Sequence, residues 1–383
     1  MVEALVAYDR RTGGGFVADA LAVNTARADL LGLSGIPRAK QILIGTSRVK
    51  GHGVGGDNDL GAEITNEDVN EVLALVDTVP VHEVDAFLVV AGLGGGTGSG
   101  GAPVLARALR RLYDEPVYGL GILPAADEGG IYTLNAARSF RTFVDEVDNL
   151  LVFDNDAWRR ADESVGQGFA AINEDLARRL GVLFSAGEPV DADAVAESVV
   201  DSSEILNTLG SGGVSTIGYA ASALEDAGRT RGRGLGLFGR RRAAAPDEGE
   251  AVNRITSLVR RATLGRLTLP CEIDSAERGL VVVSGPPDRL SRKGIERARR
   301  WLEEATGTME VRGGDYPLPD SNFVAAVVLL SGVYDVPRIK ELQRVAIETR
   351  RNVDDRDARS EVALGDLLRS VDDDTGDELE PLF

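Results

Sequence analysis

Cysteine is almost absent from this 383-residue chain. Cys271 stands alone, which excludes an internal disulfide and a cysteine-rich metal site. Histidine is nearly as scarce: with only His52 and His82, a Ser-His-Asp triad or a histidine-based zinc site is a poor expectation. Either side chain suits a surface or packing role better than catalysis. No apolar run approaches the ~20 residues of a membrane-spanning helix, and no signal peptide is evident, so the expected compartment is the cytoplasm. Lysine is the last shortage. Of 42 basic residues only Lys40, Lys50, Lys293 and Lys340 are lysines, against 61 acidic residues and a net charge of −19. Such a balance argues against general nucleic-acid binding. An acidic, lysine-poor composition suits a protein solvated at high salt; the alternative, an ordinary acidic cytosolic protein, leaves the lysine shortage unexplained.

What the chain has in abundance is glycine, and its placement is informative. The run Ala86-Phe87-Leu88-Val89-Val90-Ala91 reads as a strand buried on both faces. It breaks into Gly92-Leu93-Gly94-Gly95-Gly96-Thr97-Gly98-Ser99-Gly100-Gly101, and a helix is expected from Ala102 to Leu112 with Pro103 in its first turn. Strand, glycine loop and helix N-terminus form the layout of a phosphate cradle: backbone without Cβ atoms turns sharply and brings N–H groups against oxygens, and the helix dipole adds partial positive charge. A flexible turn is the plain alternative. Walker A chemistry requires a Gly-Lys-Ser/Thr sequence, and no lysine is near. A dinucleotide fingerprint can be placed on Gly96, Gly98 and Gly101, but its acid belongs at the tip of the following strand. Asp114 and Glu115 come before that strand (Val117 to Ile122), so a nucleotide-dependent oxidoreductase is disfavoured.

The length suffices for two domains with separate cores. In order, the patterns predict a helix over 2–9, strands at Leu21–Asn24 and Gln41–Gly45, and a second glycine-rich stretch at 51–61, either a surface loop or a second phosphate-side loop. A helix is expected to start near Asn66. Strands follow at 117–124 and 150–153, with a helix from about Gly130 to Val147 between them, and a long helix runs from Phe169 to about Ser185. Alternating strands and helices imply a doubly wound parallel α/β sheet. The loops at 24–25, 51–61, 92–101, 124–130 and 154–156 then share its C-terminal edge, where ligands bind. The division expected is a nucleotide-binding domain over 1–168, a central helix and acidic loop over 169–212, and a smaller α+β domain over 213–350. That last region has helices near 253–264, 293–305 and after Pro337, and strands at 213–220, 280–283, 309–311 and 323–330. Residues 228–249 carry six arginines among glycines and read as a mobile basic loop, either a solvated linker or a contact arm for an acidic neighbour. Residues 351–383, rich in aspartate, read as a disordered acidic tail.

The run Gly95-Gly96-Thr97-Gly98-Ser99-Gly100 resembles the G-G-G-T-G-S/T-G signature of the tubulin/FtsZ superfamily. Leu21-Ala22-Val23-Asn24-Thr25 resembles the second strand and loop of FtsZ-like proteins, and 51–61 resembles their gamma-phosphate loop. Three further stretches are most similar to the haloarchaeal tubulin-like CetZ branch: Ser47 to Gly55, Ile131 to Phe140, and Val152 to Trp158. The resemblance covers roughly residues 1 to 350. It implies a GTPase that binds GTP or GDP, with Mg2+ a candidate companion ion and no metal site of its own. It implies a cytoplasmic filament built head to tail from copies of the chain, controlling cell shape, with membrane-associated or cytoskeletal proteins as candidate further partners. A non-hydrolysing scaffold that keeps the fold is the alternative.

On that resemblance Gly95, Gly96, Thr97, Gly98, Ser99 and Gly100 cradle the phosphates, Glu128 faces the ribose, and Asn155 and Asn173 read guanine. An asparagine amide offers both a donor and an acceptor to the edge of that base. Hydrolysis is shared between subunits in the family, and the matching acidic segment is Val199 to Glu204, with Asp201 and Glu204 the candidate catalytic residues. If the segment is helical the two carboxylates share a face; taken alone, they read equally as a solvated helix start. Val199 stands where the family often has asparagine. Family members also begin with a strand and a G-Q-x-G-G loop ahead of the first helix. This chain starts at Met1-Val2-Glu3, just after that point, so a gap in the sheet and a true start upstream are expected. The basic loop falls where tubulin makes lateral contacts, and a lateral or partner contact is expected there.

Overall fold

The computed structural model describes residues 1–158, 165–188, 200–224 and 248–374. The chain opens with α1 (Val2–Thr12), which Gly13 ends in the left-handed conformation at φ 67°. The short strands β1 (Ala22–Asn24) and β2 (Gln41–Leu43) flank α2 (Arg27–Leu31) and pair in parallel. Three helices follow: α3 (Thr46–Val49), α4 (Asn58–Glu67) and α5 (Val69–Val76). Next come β3 (Phe87–Gly92), α6 (Thr97–Leu112), β4 (Val117–Leu123), α7 (Gly130–Glu146), β5 (Asn149–Asp154) and α8 (Asn155–Trp158). The long α9 (Val165–Ser185) leads to α10 (Ser202–Leu209) and β6 (Val214–Ala223). The remainder is α11 (Glu248–Leu264), β7 (Arg278–Gly285), α12 (Arg292–Thr306), β8 (Val311–Pro317), β9 (Phe323–Ser331) and α13 (Pro337–Asp374).

Seven strands form one sheet in the order β3-β4-β5-β6-β9-β7-β8. It is parallel from β3 to β6, and β9 enters antiparallel between β6 and β7. The junction at Leu150↔Val214 and Leu151↔Ser215 makes the α/β sheet of the first half continuous with that of the second. Period-two alternation explains how both faces are filled. In β5, Leu150 and Val152 enter one apolar core, under α6, α7, α11 and α12, while Leu151 and Phe153 enter the other, under α9 and α10. In β9, Val324, Ala326, Val328 and Leu330 face the first core and Val327 and Leu329 the second.

The strands β1 and β2 stand apart as their own two-stranded sheet, with a small core of Ile44, Val54, Ile64 and Val72 beneath them. A cavity of about 480 Å3 separates β1 from the free side of β3, lined by Val23, Leu5, Val6, Leu88, Val90 and Thr97 among others.

Three boundaries differ from the sequence expectation. Helix α6 begins at Thr97 rather than Ala102, with Gly98, Gly100 and Gly101 inside its first turns; a side chain on Gly100 would meet the backbone of Asn58 and one on Gly101 the side chain of Thr65, while Gly98 lies close to the Gly92 carbonyl. The second half of the 51–61 stretch is helical: Asp57 caps α4 by accepting the Leu60 N–H at 3.0 Å, and α4 ends at Glu67, so the helix expected from Asn66 is α5, with Asp68 as its N-cap. Of the acidic segment, Ser202 onward is helix, and 189–199 lies outside the described residues. The region from residue 351, expected to be disordered, continues α13 to Asp374. Its Ala, Arg, Glu and Leu content favours helix despite the charge; residues 375–383, and 225–247 of the basic loop, lie outside the described residues. No described helix is long and apolar enough to cross a membrane.

Candidate functional site

Two glycine-rich loops meet at the C-terminal edge of β3. Gly96 forms the N-cap of α6, and the Gly100 N–H is the one that bonds back to the Gly96 carbonyl. The amides of Thr97, Gly98 and Ser99 thus belong to the first turn, where no i−4 acceptor exists. Against this turn lies α4, backbone to backbone. A Cβ on Gly100 would overlap the Asn58 carbonyl, one on Gly61 would overlap the Gly96 carbonyl, and one on Gly96 would lie 2.9 Å from Asp57 N. Two helix N-termini are thereby held side by side, and their partial positive charges add. Gly55 and Gly56, at φ 62° and 86°, and Gly92 and Gly95 present their Cβ positions to open space. The rim of the cradle is bare backbone with room above it.

Side chains that no sequence pattern singled out brace the loops. Asn135, 2% exposed on α7, donates from Nδ2 to the carbonyls of Gly56 (2.7 Å), Gly94 (3.1 Å) and Gly95 (3.4 Å), tying the two loops together. Ser139, one turn further along α7, donates to the Ser99 carbonyl at 2.6 Å. Ser99 itself turns inward onto the carbonyls of Gly95 and Gly96. Buried Thr25, just past β1, shares a 2.7 Å hydrogen bond with Thr97. The spacing Asn135, Ser139 is one helical turn, a signal that α7 presents a polar stripe to something polar.

The neighbouring loops carry the other candidates. Glu128 is exposed, and its Oε1 accepts the Ala125 N–H at 2.8 Å. Asn155 opens α8, 8% exposed, and Asn173 sits half-buried on α9. Asp156 accepts the Ala126 N–H at 2.8 Å, so the loops after β4 and β5 are joined. Next to them Trp158 is buried, donates to the Leu267 carbonyl at 3.0 Å, and carries the Arg179 guanidinium 4.4 Å from its ring centroid. Burial pulls the Arg179 pKa down, opposed by its ion pair with Asp175 at 2.9 Å.

Asp201 and Glu204 are not beside this cradle. Asp201 is the N-cap of α10, accepting from the Glu204 N–H at 3.0 Å and from Ser203 Oγ at 2.5 Å. These bonds hold its carboxyl below the usual range. The Glu204 carboxyl is pushed up, by burial first and by Asp201 second, against the pull of Arg312 and Arg299. Its Oε2 is buried without a hydrogen-bond partner among the described residues. At its other end α10 accepts from Asn149 Nδ2, which reaches the Leu209 carbonyl at 3.0 Å. Asn149 is the first residue of β5 and Asp154 the last, so at ~3.3 Å per residue the strand puts ~17 Å between the acidic helix and the nucleotide-side loops. The acids lie at the opposite edge of the sheet. Among the described residues no group of three His, Cys, Asp or Glu is gathered to hold a metal.

The family described as "Tubulin/FtsZ family, GTPase domain" matches residues 3–162, and "Tubulin-like CetZ, C-terminal domain" matches 162–348. The chain is 68% identical to the tubulin-like protein CetZ3 of Haloferax volcanii over 383 residues, covering 100% of this chain and 96% of that protein. Its fold is similar to that of the GDP-bound CetZ1 monomer from Haloferax volcanii, with a TM-score of 0.80 at 61% identity over 91% of this chain and 95% of that one. It is similar also to CetZ2 of the same organism, solved as a GTPγS-bound protofilament, with a TM-score of 0.80 at 46% identity over 92% of this chain and 95% of that one. With two adjoining family matches that leave few residues uncovered, and a relative this similar along its whole length, the chain belongs to the tubulin-like CetZ family of the tubulin/FtsZ superfamily.

Proposed function

We propose that this protein binds guanine nucleotides, assembles head to tail with copies of itself, hydrolyses GTP at the contact between copies, and works as a cytoskeletal filament that governs cell shape. The observation that carries this reading is the separation just described: a phosphate cradle at one edge of the sheet and a poised acidic pair at the other. Neither half is complete within one chain. Stacking a second copy so that its α10 meets the first copy's cradle completes the site. The relatives solved with GDP and as a GTPγS-bound protofilament support both the ligand and the assembly.

The first-turn amides of α6, with the backbone from Gly95 to Gly100, would take the phosphates. The open space over Gly92 and Gly95 is the room such a ligand needs. Glu128 would offer its second carboxylate oxygen to the ribose, and Asn155 and Asn173 would pair with the guanine edge. Mg2+ would arrive with the phosphates, as this ion commonly does. In the stacked pair, Asp201 stays ionised and Glu204, with a raised pKa and an unpartnered Oε2, accepts a hydrogen bond or proton from the attacking water.

Replacement of Glu204 by alanine tests the reading. Nucleotide binding should persist, GTP turnover should fall ~100-fold or more, and filaments seen by light scattering and negative stain should last longer. A scaffold that keeps the fold without turnover is the alternative. It would show no nucleotide-dependent change in assembly in either protein.

A further inference from the structure

The N-terminus of α13 reaches the nucleotide edge through one side chain. Arg338, the second residue of the helix, has a side chain only 9% exposed, although it belongs to the C-terminal region. Its Nε lies 3.3 Å from Asp154 Oδ1, its Nη2 donates to the Pro124 carbonyl at 3.0 Å, and its Nη1 pairs with Glu341 on its own helix at 3.1 Å. Asp154 is the last residue of β5, next to Asn155; Pro124 is the first residue beyond β4, four before Glu128. One guanidinium therefore clamps the ends of both strands whose loops carry the ribose and base candidates. A planar fork of donors suits this task and a lysine would not reproduce it.

The clamp propagates into the loops. Asp154 Oδ1 also accepts the Asp156 N–H at 3.1 Å, Asp156 accepts the Ala126 N–H, and the Ala125 N–H is held by Glu128. Pro124 packs in turn on the phosphate loop, its Cβ 3.1 Å from the Cβ position of Gly94. From the other side α13 lies along α7, where a Cβ placed on Gly130 would lie 3.3 Å from Thr349 Oγ1. The helix that braces the cradle through Asn135 is thus the helix on which α13 docks.

We propose that Arg338 is a positioning residue that couples docking of the C-terminal helix α13 to the base and ribose loops, so that nucleotide affinity and α13 docking rise and fall together. This rests on the reading of the site as a guanine-nucleotide site. Coupling is reciprocal by thermodynamic necessity. Loss of the clamp loosens the loops that grip base and ribose and leaves the amide cradle for the phosphates in place. Asp154, whose carboxyl burial already pushes up, would be left without its cation.

The test uses the full chain with Arg338→Lys, Arg338→Met and the pair Arg338→Met with Asp154→Asn, the last removing the stranded acid so that the protein folds. GDP and ADP affinities are measured by fluorescent-analogue displacement, and amide hydrogen exchange is followed with and without GDP. The expected result is a roughly tenfold loss of GDP affinity in Arg338→Met and in the double variant, with a smaller GDP-over-ADP preference and partial recovery in Arg338→Lys. In nucleotide-free protein the amides of Ala126 and Asp156 exchange about tenfold faster without the clamp. In the wild type GDP slows exchange across 338–350, and in the double variant it does not. A merely structural role would lower affinity for both nucleotides alike and leave that preference unchanged. Variants that keep wild-type GDP preference and wild-type protection of 338–350 overturn the inference alone. A wild-type protein that binds no GDP overturns it together with the nucleotide reading.

Discussion

At the scale of single residues, the site depends on which atoms donate. Asn135 offers amide hydrogens to three carbonyls from two loops. A carboxylate of the same shape would offer only acceptors to acceptors. Asn135→Asp should therefore be more damaging than Asn135→Ala, which merely leaves buried carbonyls unpartnered at about 1–3 kcal/mol. Urea denaturation ranks the two, and an aspartate better tolerated than alanine would show that the amide is not the donor. The same logic separates the two acids of α10. Asp201 spends its carboxylate on capping the helix, while Glu204 keeps an oxygen buried and unpartnered. Hydrogen bonds from the Ser203 hydroxyl and the Glu204 N–H hold the Asp201 pKa down, while burial pushes that of Glu204 up.

At the scale of elements, the glycines of one loop have two distinct reasons to be glycine. Gly100 faces the backbone of α4 and has no space for a methyl group; Gly95 faces open space. Gly100→Ala should destabilise the fold by about 1–3 kcal/mol or more, because helix backbone cannot swing aside as a flexible side chain can. Gly95→Ala should leave the thermal midpoint nearly unchanged and weaken nucleotide binding, since its methyl group would occupy the cradle. Calorimetry of both variants with and without GDP tells the roles apart, and equal loss of stability in the two would refute the distinction. The strand–loop–helix layout of this element is legible in residues 86–112. That α6 starts at Thr97 is not, since Gly98, Gly100 and Gly101 lower helix propensity locally, and it is the close packing of α4 on Gly100 and Gly101 and of β3 on Gly98 that makes them suitable there.

At the scale of the whole molecule, charge and sheet continuity dominate. A net charge of −19 over a folded chain of this size is self-repelling at low ionic strength. With a Debye length of about 10 Å at 0.1 M salt and about 3 Å at 1 M, most of that repulsion is screened in molar KCl. The thermal midpoint should rise steadily from 0.1 to 2 M KCl, and a midpoint insensitive to salt would remove the halophilic reading of the composition. The continuous sheet also joins the two halves of the chain. Buried Asn149 bonds to the carbonyls of Leu209 and Gly212 and to Ser331 Oγ and accepts from Ser215 Oγ, so β5, β6, β9 and α10 share one satisfied polar knot. The acidic helix is held rigidly with respect to the strands that end at the cradle.

The sequence by itself determined the alternation of strands and helices, the apolar runs of the central strands, the phosphate-type loop and the acidic pair three residues apart. All of these are local patterns, written in period and composition. Only the tertiary structure decided that the acids stand at the far edge of the sheet from the cradle. Only the structure brought Asn135, Ser139 and Thr25 onto the loops, and Arg338 across more than 180 residues to Asp154. An asparagine, a serine or an arginine on a helix has the same local pattern whether it meets water or a loop from elsewhere in the chain. The difference is made by long-range packing, which a local pattern does not encode.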